Sequence, residues 1–343
     1  MNGTTARDPG CEPGVLRVAV PLPDQRPSYY ALRDFCAELA EQGAIPQSVR
    51  WEATIGRALA KTRNGYLSRL GRRKGPLVVP LMGPRLGLLH AAGLSGSVVP
   101  YCWDVWEPEW ESWAEALRPF RPAAVFVTAR HSTEFLAHAL PDSRVIHLPE
   151  ATRLSRYCFD RPLAARNTGV LELGRRYEKW HEAVSEVLKQ RSDRRHLYET
   201  RSGQVVFPDE QSMQRGLADS MISVCFPSSR THPQRSGCVE TMTQRYLESI
   251  ASGCLIIGHA PAELVDLLGF NPVVEVDWSA PGEQLLDILT APERWQPWVE
   301  QSRQRAVQVG DWSVRVRALR AELAAMGLLG EARDALFDAH TTA

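Results

Sequence analysis

Short apolar runs rich in β-branched residues alternate with longer amphipathic stretches along nearly the whole chain. In the first half the runs are Leu16–Val20, Leu77–Leu81, Val98–Cys102, Ala124–Thr128 and Arg144–Leu148. Between them, Tyr29–Gln42 sets Leu32, Phe35, Cys36 and Leu39 on one helical face and stops at Gly43. His131–Leu140 reads as another helix, with Ser132 placed to cap it. Few architectures accept this alternation. It predicts βαβ units, a parallel sheet and an α/β fold.

The second half repeats the pattern. Gly169–Leu173 is a strand, and Gly174 opens a helix to about Arg191. Short strands follow at His196–Tyr198 and Gln204–Phe207, then a helix over Asp209–Ser220 and a strand over Met221–Phe226. A loop, Ser228–Val239, leads to a helix from about Thr241, where Thr241 and Gln244 fit a capping box. Gly253 stops it before the strand Leu255–Ile257. A helix over Pro261–Leu268 and a last strand, Val273–Val276, come next, and Asp311 opens a long terminal helix. With 343 residues the chain has room for two ordinary domains. The expected division is an extended 1–14, a first doubly wound domain over 15–150, a linker over 151–166, a second over 167–310, and a terminal helix over 311–343 packing back on the first. Two such domains leave a cleft at the carboxyl ends of their strands, where ligands of open parallel sheets bind.

Composition narrows the partners. Net charge is zero, which gives no electrostatic case for nucleic acid or an acidic membrane. Phosphate recognition then has to come from a local pocket. Of 40 basic residues only Lys61, Lys74, Lys179 and Lys189 are lysine; the arginine excess fits a GC-rich bacterial genome and also supplies forks suited to phosphate. The seven cysteines form no CxxC pair and no His/Cys cluster, so reduced thiols in a cytoplasmic protein are expected, with Cys225 and Cys254 in the core. The amino-terminal residues lack the apolar segment of a secretory signal, and no run is long enough to span a membrane.

Chemistry concentrates in Gly237–Gly258. Glu240 and Glu248 are separated by seven residues there, one at the mouth of a helix and one inside it. Residues eight apart on one helix stand about 12 Å apart along its axis. Both carboxylates can face one extended ligand only if Glu240 belongs to the loop, which also sets a phosphate beside the helix N-terminus. A capped amphipathic helix with ordinary surface glutamates has the same spacing.

The segment resembles the donor-binding motif of group 1, family 4-type retaining glycosyltransferases of the GT-B fold. Thr243-Gln-Arg245-Tyr246-Leu-Glu248-Ser-Ile-Ala-Ser-Gly253 looks most like the CgeB/YkvP-type branch. The resemblance covers roughly residues 168–276 and implies two Rossmann-like domains facing across a cleft. It assigns donor-sugar hydroxyls to Glu240 and the ribose to Glu248. Thr241 and Thr243 stand where the family has glycines, and they become the phosphate-side candidates together with Arg245. Gly174-Arg175-Arg176-Tyr-Glu-Lys179 resembles the family's Gly-Arg…Lys element, with Arg175 and Lys179 four apart rather than five. Arg175 is the foremost candidate to hold the departing diphosphate. Phe207 sits where this fold packs on the nucleobase; Asp209 beside it also reads as a simple helix cap.

In the first half, Trp106, Trp110 and Trp113 read as a core-facing stripe. Trp103 and Asp104 follow a strand directly and belong at the cleft rim, Trp103 stacking on a sugar and Asp104 bonding an acceptor hydroxyl. His131, also after a strand, is a candidate for contact with donor sugar or acceptor. No Walker loop, GxGxxG, HExxH or Asp-x-Asp motif occurs, which disfavours a metal-dependent transferase. The expected function is metal-independent transfer of a sugar, with retention, from a UDP, GDP or dTDP sugar to a small-molecule or glycan hydroxyl, with no cofactor required. A nucleotide-sugar epimerase or hydrolase, or a non-catalytic nucleotide- or glycan-binding protein, would share the fold.

Overall fold

The computed structural model describes residues 14–20, 30–48, 75–84, 86–174, 176–190, 193–201 and 204–330. Two all-parallel sheets organise them. The first has six strands in the order β2-β1-β3-β4-β5-β6. Its strands are β1 (Arg17–Val20), β2 (Ile45–Ser48), β3 (Pro76–Met82), β4 (Ser97–Trp103), β5 (Ala124–Val127) and β6 (Arg144–His147). The second has five, in the order β11-β10-β9-β7-β8. These are β7 (Thr168–Leu171), β8 (Arg195–Leu197), β9 (Ser220–Cys225), β10 (Leu255–Gly258) and β11 (Val273–Glu275).

The central strands β3, β4, β5, β9 and β10 are buried along nearly their whole length, because helices cover both faces of each sheet. In the first half the covering helices are α1 (Tyr30–Glu41), α2 (Leu86–Ser95), α3 (Trp110–Leu117) and α4 (Arg130–Ala139). In the second they are α5 (Glu178–Lys189), α6 (Glu210–Ala218), two single turns α7 (Ser228–Thr231) and α8 (Pro233–Ser236), α9 (Gln244–Ala251), α10 (Ala262–Leu268), α11 (Pro281–Thr290) and α12 (Gln296–Val309). The last helix, α13 (Trp312–Ala325), returns to the first half. Its Trp312, Val316, Leu319 and Leu323 share one buried cluster with Phe35 and Leu39 of α1 and Tyr101 and Trp103 of β4. No helix among the described residues is long and apolar enough to cross a membrane.

Several local expectations change. Residues 204–207 form no strand; Phe207 packs against Met213 and Leu217 of α6 and comes so near Gly216 that any Cβ there would meet its ring. Ser132 does not cap α4. It is buried, donating to the Val105 carbonyl (2.6 Å) and accepting from the Trp110 indole (3.1 Å). The Thr241–Gln244 capping box does not form, since α9 starts at Gln244 with Thr243 before it. Helix α5 begins at Glu178, four residues after Gly174, whose φ of +90° turns the chain first. β2 and α2 went unread, because Ile-Pro-Gln-Ser is an edge strand without alternation and Leu86–Ser95 is apolar all round. Cys225 and Cys254 are core residues, as expected.

Candidate functional site

In each sheet the chain reverses its direction of strand addition once. The reversal falls between β1 and β3 in the first sheet and between β7 and β9 in the second. Crevices at such points, beyond the carboxyl ends of the strands, are the natural ligand sites of this architecture. A cavity of about 620 Å³ opens there, walled by both halves. Met82 at the end of β3, Asp104 after β4 and Glu150 after β6 face Leu173 after β7, Phe226 after β9 and Thr243, Gln244 and Arg245 at the start of α9. A second space of about 370 Å³ adjoins it and shares Tyr30, Leu173, Gln244 and Arg245. Gly174, Val205, Val206, Phe207 and Met213 give this second space a more apolar lining.

The start of α9 carries the site's chief anion-seeking group. No side chain of α9's own segment caps it. The Gln244 amide instead donates to Oε2 of Glu150 (3.1 Å), and the Gln244 side chain donates to the Ala151 carbonyl (2.7 Å). A carboxylate from the first half thus sits where helix amides favour negative charge. Burial, then the neighbouring Asp104, pushes the Glu150 carboxyl up to about 8; the Gln244 amide pulls the other way. At neutral pH the group is mostly protonated.

Arg245 lines both spaces and pairs with Glu248 at 2.7 Å. Glu248 itself is fully buried and lines neither space. Its Oε1 accepts from the Tyr30 hydroxyl and from Tyr157 (3.1 Å). The ribose contact expected of Glu248 is therefore corrected: Tyr30 and Arg245 stand between this carboxylate and the ligand space, and Glu248 orients them. Burial and the Glu248 charge raise the Tyr30 hydroxyl well above its usual range, so it stays a donor.

The other sequence-derived candidates separate clearly. Asp104, Thr243 and Arg245 line the first cavity, and Phe207 and Arg245 the second. Asp104 adopts φ +54°, an uncommon conformation that turns the chain off the end of β4. Arg235 of α8 approaches it to 3.6 Å, joining the two halves at the cavity. Trp103 is a correction: it is 1% exposed, packed between Phe35, Tyr101 and Trp312, and cannot reach a sugar. Thr241 is likewise buried and donates to Glu263 (2.8 Å), which also accepts from the Arg130 amide (2.5 Å), so it is turned away from the cavities. Lys179 is exposed and rests its ammonium over the Trp278 ring, 4.2 Å from the centroid. His131 is exposed on the first turn of α4 and lines neither space. Glu240 lies before α9 as a loop residue; it is near His259 (3.3 Å) and Arg230 (3.9 Å) and borders neither space. Arg175 lies outside the described residues.

Tyr30, Glu150 and Arg235 were missed. Glu150 had a legible signal, since it follows a strand just as Asp104 does. Tyr30 and Arg235 had none, because only the meeting of the two halves brings them to the cavity. The structure also gathers Glu172, His181 and His196, far apart in sequence, with one ligand-type atom of each within 4.8 Å of the others.

No family model and no curated protein matches this chain. Solved structures do. HepE of Anabaena, in complex with UDP and glucose, superposes over 92% of this chain and 100% of its own, with a TM-score of 0.57 and 10% identity. AviGT4, a glycosyltransferase involved in avilamycin A biosynthesis, covers 92% and 98%, with a TM-score of 0.54 and 12% identity. A trehalose-phosphate synthase from Burkholderia vietnamiensis covers 81% and 78%, at 0.51 and 12%. The fold is GT-B. Its two Rossmann-like sheets and the cleft between them agree with the expected architecture.

Proposed function

We propose that this chain transfers a sugar from a nucleoside diphosphate sugar, with UDP the first candidate, to an acceptor hydroxyl. One observation carries the reading: the cavity between the two sheets joins a helix start held by the mostly protonated Glu150, and the half-buried Arg245, to an apolar space beside Phe207. That combination suits a diphosphate at α9, a base against Phe207, and a sugar reaching toward Asp104. HepE, which has this fold, binds UDP and UDP-glucose, and this supports a uridine donor. The likeness to AviGT4 favours a small natural product as acceptor.

In the proposed step the acceptor oxygen bonds to the anomeric carbon while the bond from that carbon to the diphosphate oxygen breaks. The acceptor proton passes to the departing phosphate. Charge accumulates on the diphosphate, and the α9 amides with Arg245, and Arg175 by its motif, stabilise it there. No separate strong base is then needed, in keeping with retention of configuration. Glu240, from its loop, is the residue we assign to sugar hydroxyls once a donor is bound.

Thermal shift with UDP, GDP and dTDP, followed by product analysis with UDP-glucose and an acceptor panel, tests the reading. Stabilisation by UDP and an acceptor-dependent release of UDP are expected. Epimerised or hydrolysed sugar without an acceptor would replace transfer by the rival chemistry. Indifference to all three nucleotides would remove the donor site altogether.

A further inference from the structure

Behind the wall of the second cavity, Glu172 at the end of β7, His196 in β8 and His181 in α5 converge. The arrangement is lopsided. Both imidazoles address one oxygen of Glu172: His181 Nδ1 at 2.6 Å and His196 Nε2 at 2.8 Å from Oε1. The other oxygen, Oε2, is buried with no hydrogen-bond partner among the described residues, and Glu172 is 3% exposed. An unpartnered carboxylate oxygen at such depth is costly. Arg176, the cation of the adjoining loop, commits its guanidinium to Glu178 and the Glu199 carbonyl instead.

We propose that Glu172, His181 and His196 bind a divalent transition-metal ion of the zinc class. Two imidazole nitrogens and one carboxylate, with a fourth position for water, form a donor set suited to zinc; magnesium and calcium prefer oxygen ligands. With metal–ligand distances of about 2.0 Å, tetrahedral ligand atoms stand about 3.3 Å apart. The nitrogens therefore need to withdraw from Glu172 by only about 0.7 Å at His181 and about 0.5 Å at His196. The Tyr198 ring packs against both imidazoles, at 4.7 and 4.5 Å between centroids, and limits their rotation. The ion would brace the β7–α5 connection against the end of β8. Gly174 and Glu199, on those two segments, line the second cavity. The proposal does not depend on the sugar-transfer reading, because it concerns binding and stability alone.

The test uses full-length, untagged protein stripped with EDTA and titrated with ZnCl2 by calorimetry, with MgCl2 as control. About one equivalent of zinc and a raised Tm are expected, with no response to magnesium. His196→Ala and Glu172→Gln should each weaken zinc binding at least as much as the 10–100-fold, roughly, seen on losing an outer-shell partner. Circular dichroism reports whether each variant folds, and His181→Gln serves if either does not. Undiminished binding in folded variants would place the ion elsewhere and overturn the site. So would a silent wild-type titration, or equal binding of magnesium.

Discussion

Arg245 holds two obligations at once. It neutralises the fully buried Glu248 and presents a cation to both ligand spaces. Arg245→Ala should therefore cost stability as well as affinity. Stranding a buried carboxylate typically costs about 3–5 kcal/mol. Chemical denaturation should show that loss, and calorimetry should show UDP binding fall with it; an unchanged UDP affinity would detach the arginine from the donor. Glu150 gives a sharper handle. Its folded value of about 8 lies above the ordinary 4.5, so the folded state holds a proton that the unfolded chain releases. Its stabilising contribution is full below 4.5 and is lost as pH rises to about 8. Asp104, Glu248 and Glu263 act in that direction, against the Gln244 amide. Glu150→Gln keeps an acceptor for that amide without the charge. It should flatten the fall of Tm across this window and keep UDP binding from weakening above it; parallel pH profiles for variant and wild type would dismiss the assignment.

At the scale of elements, α13 matters most to the first half. Trp312 is fully buried against Phe35 and Trp103. Trp312→Ala should cost about 3–5 kcal/mol, read by denaturant unfolding, since it empties the centre of a close-packed cluster. This helix was legible because Asp311 precedes an apolar pattern, and Asp311 does cap it, accepting from the Ser313 amide. The buried strands were legible for the same kind of reason: Val-Val and Ile-Ile runs between helices have few other uses. The site was less so. The spacing of Glu240 and Glu248 located α9 correctly, yet it could not tell a ligand-facing carboxylate from one sealed behind Tyr30 and Tyr157. Trp103 shows the same limit. Sequence set it at a strand end, but only the returning α13 decides that the strand end is covered. Glu172, His181 and His196 lie on three successive elements, and no linear motif connects them.

Across the whole molecule, the two halves are laced together by charge. Arg156 of the connecting segment reaches Asp34 of α1 and Glu210 of α6, each at 2.6 Å. Glu107 accepts from the Cys238 amide at 2.6 Å, and Glu263 from that of Arg130 at 2.5 Å. Apolar contacts accompany them, with Trp106 against Val239 and Tyr30 against the Met213 cluster, but these polar links sit at the rim of the cavity, where opening and closing around a ligand would act. Arg156→Ala should loosen this lacing. We expect a larger radius of gyration by small-angle X-ray scattering without UDP and a smaller difference with it. An identical scattering curve in both states would mean that other contacts set the angle between the halves.

The return of α13 also has a consequence in time. Synthesis delivers the first sheet early, but its central cluster waits for Trp312, Val316, Leu319, Leu323 and Leu328. The second sheet has by then emerged complete. On the ribosome the order of maturation is thus inverted: the half made first is the half finished last, and until the closing residues arrive its aromatic centre stands open to water and to chaperones.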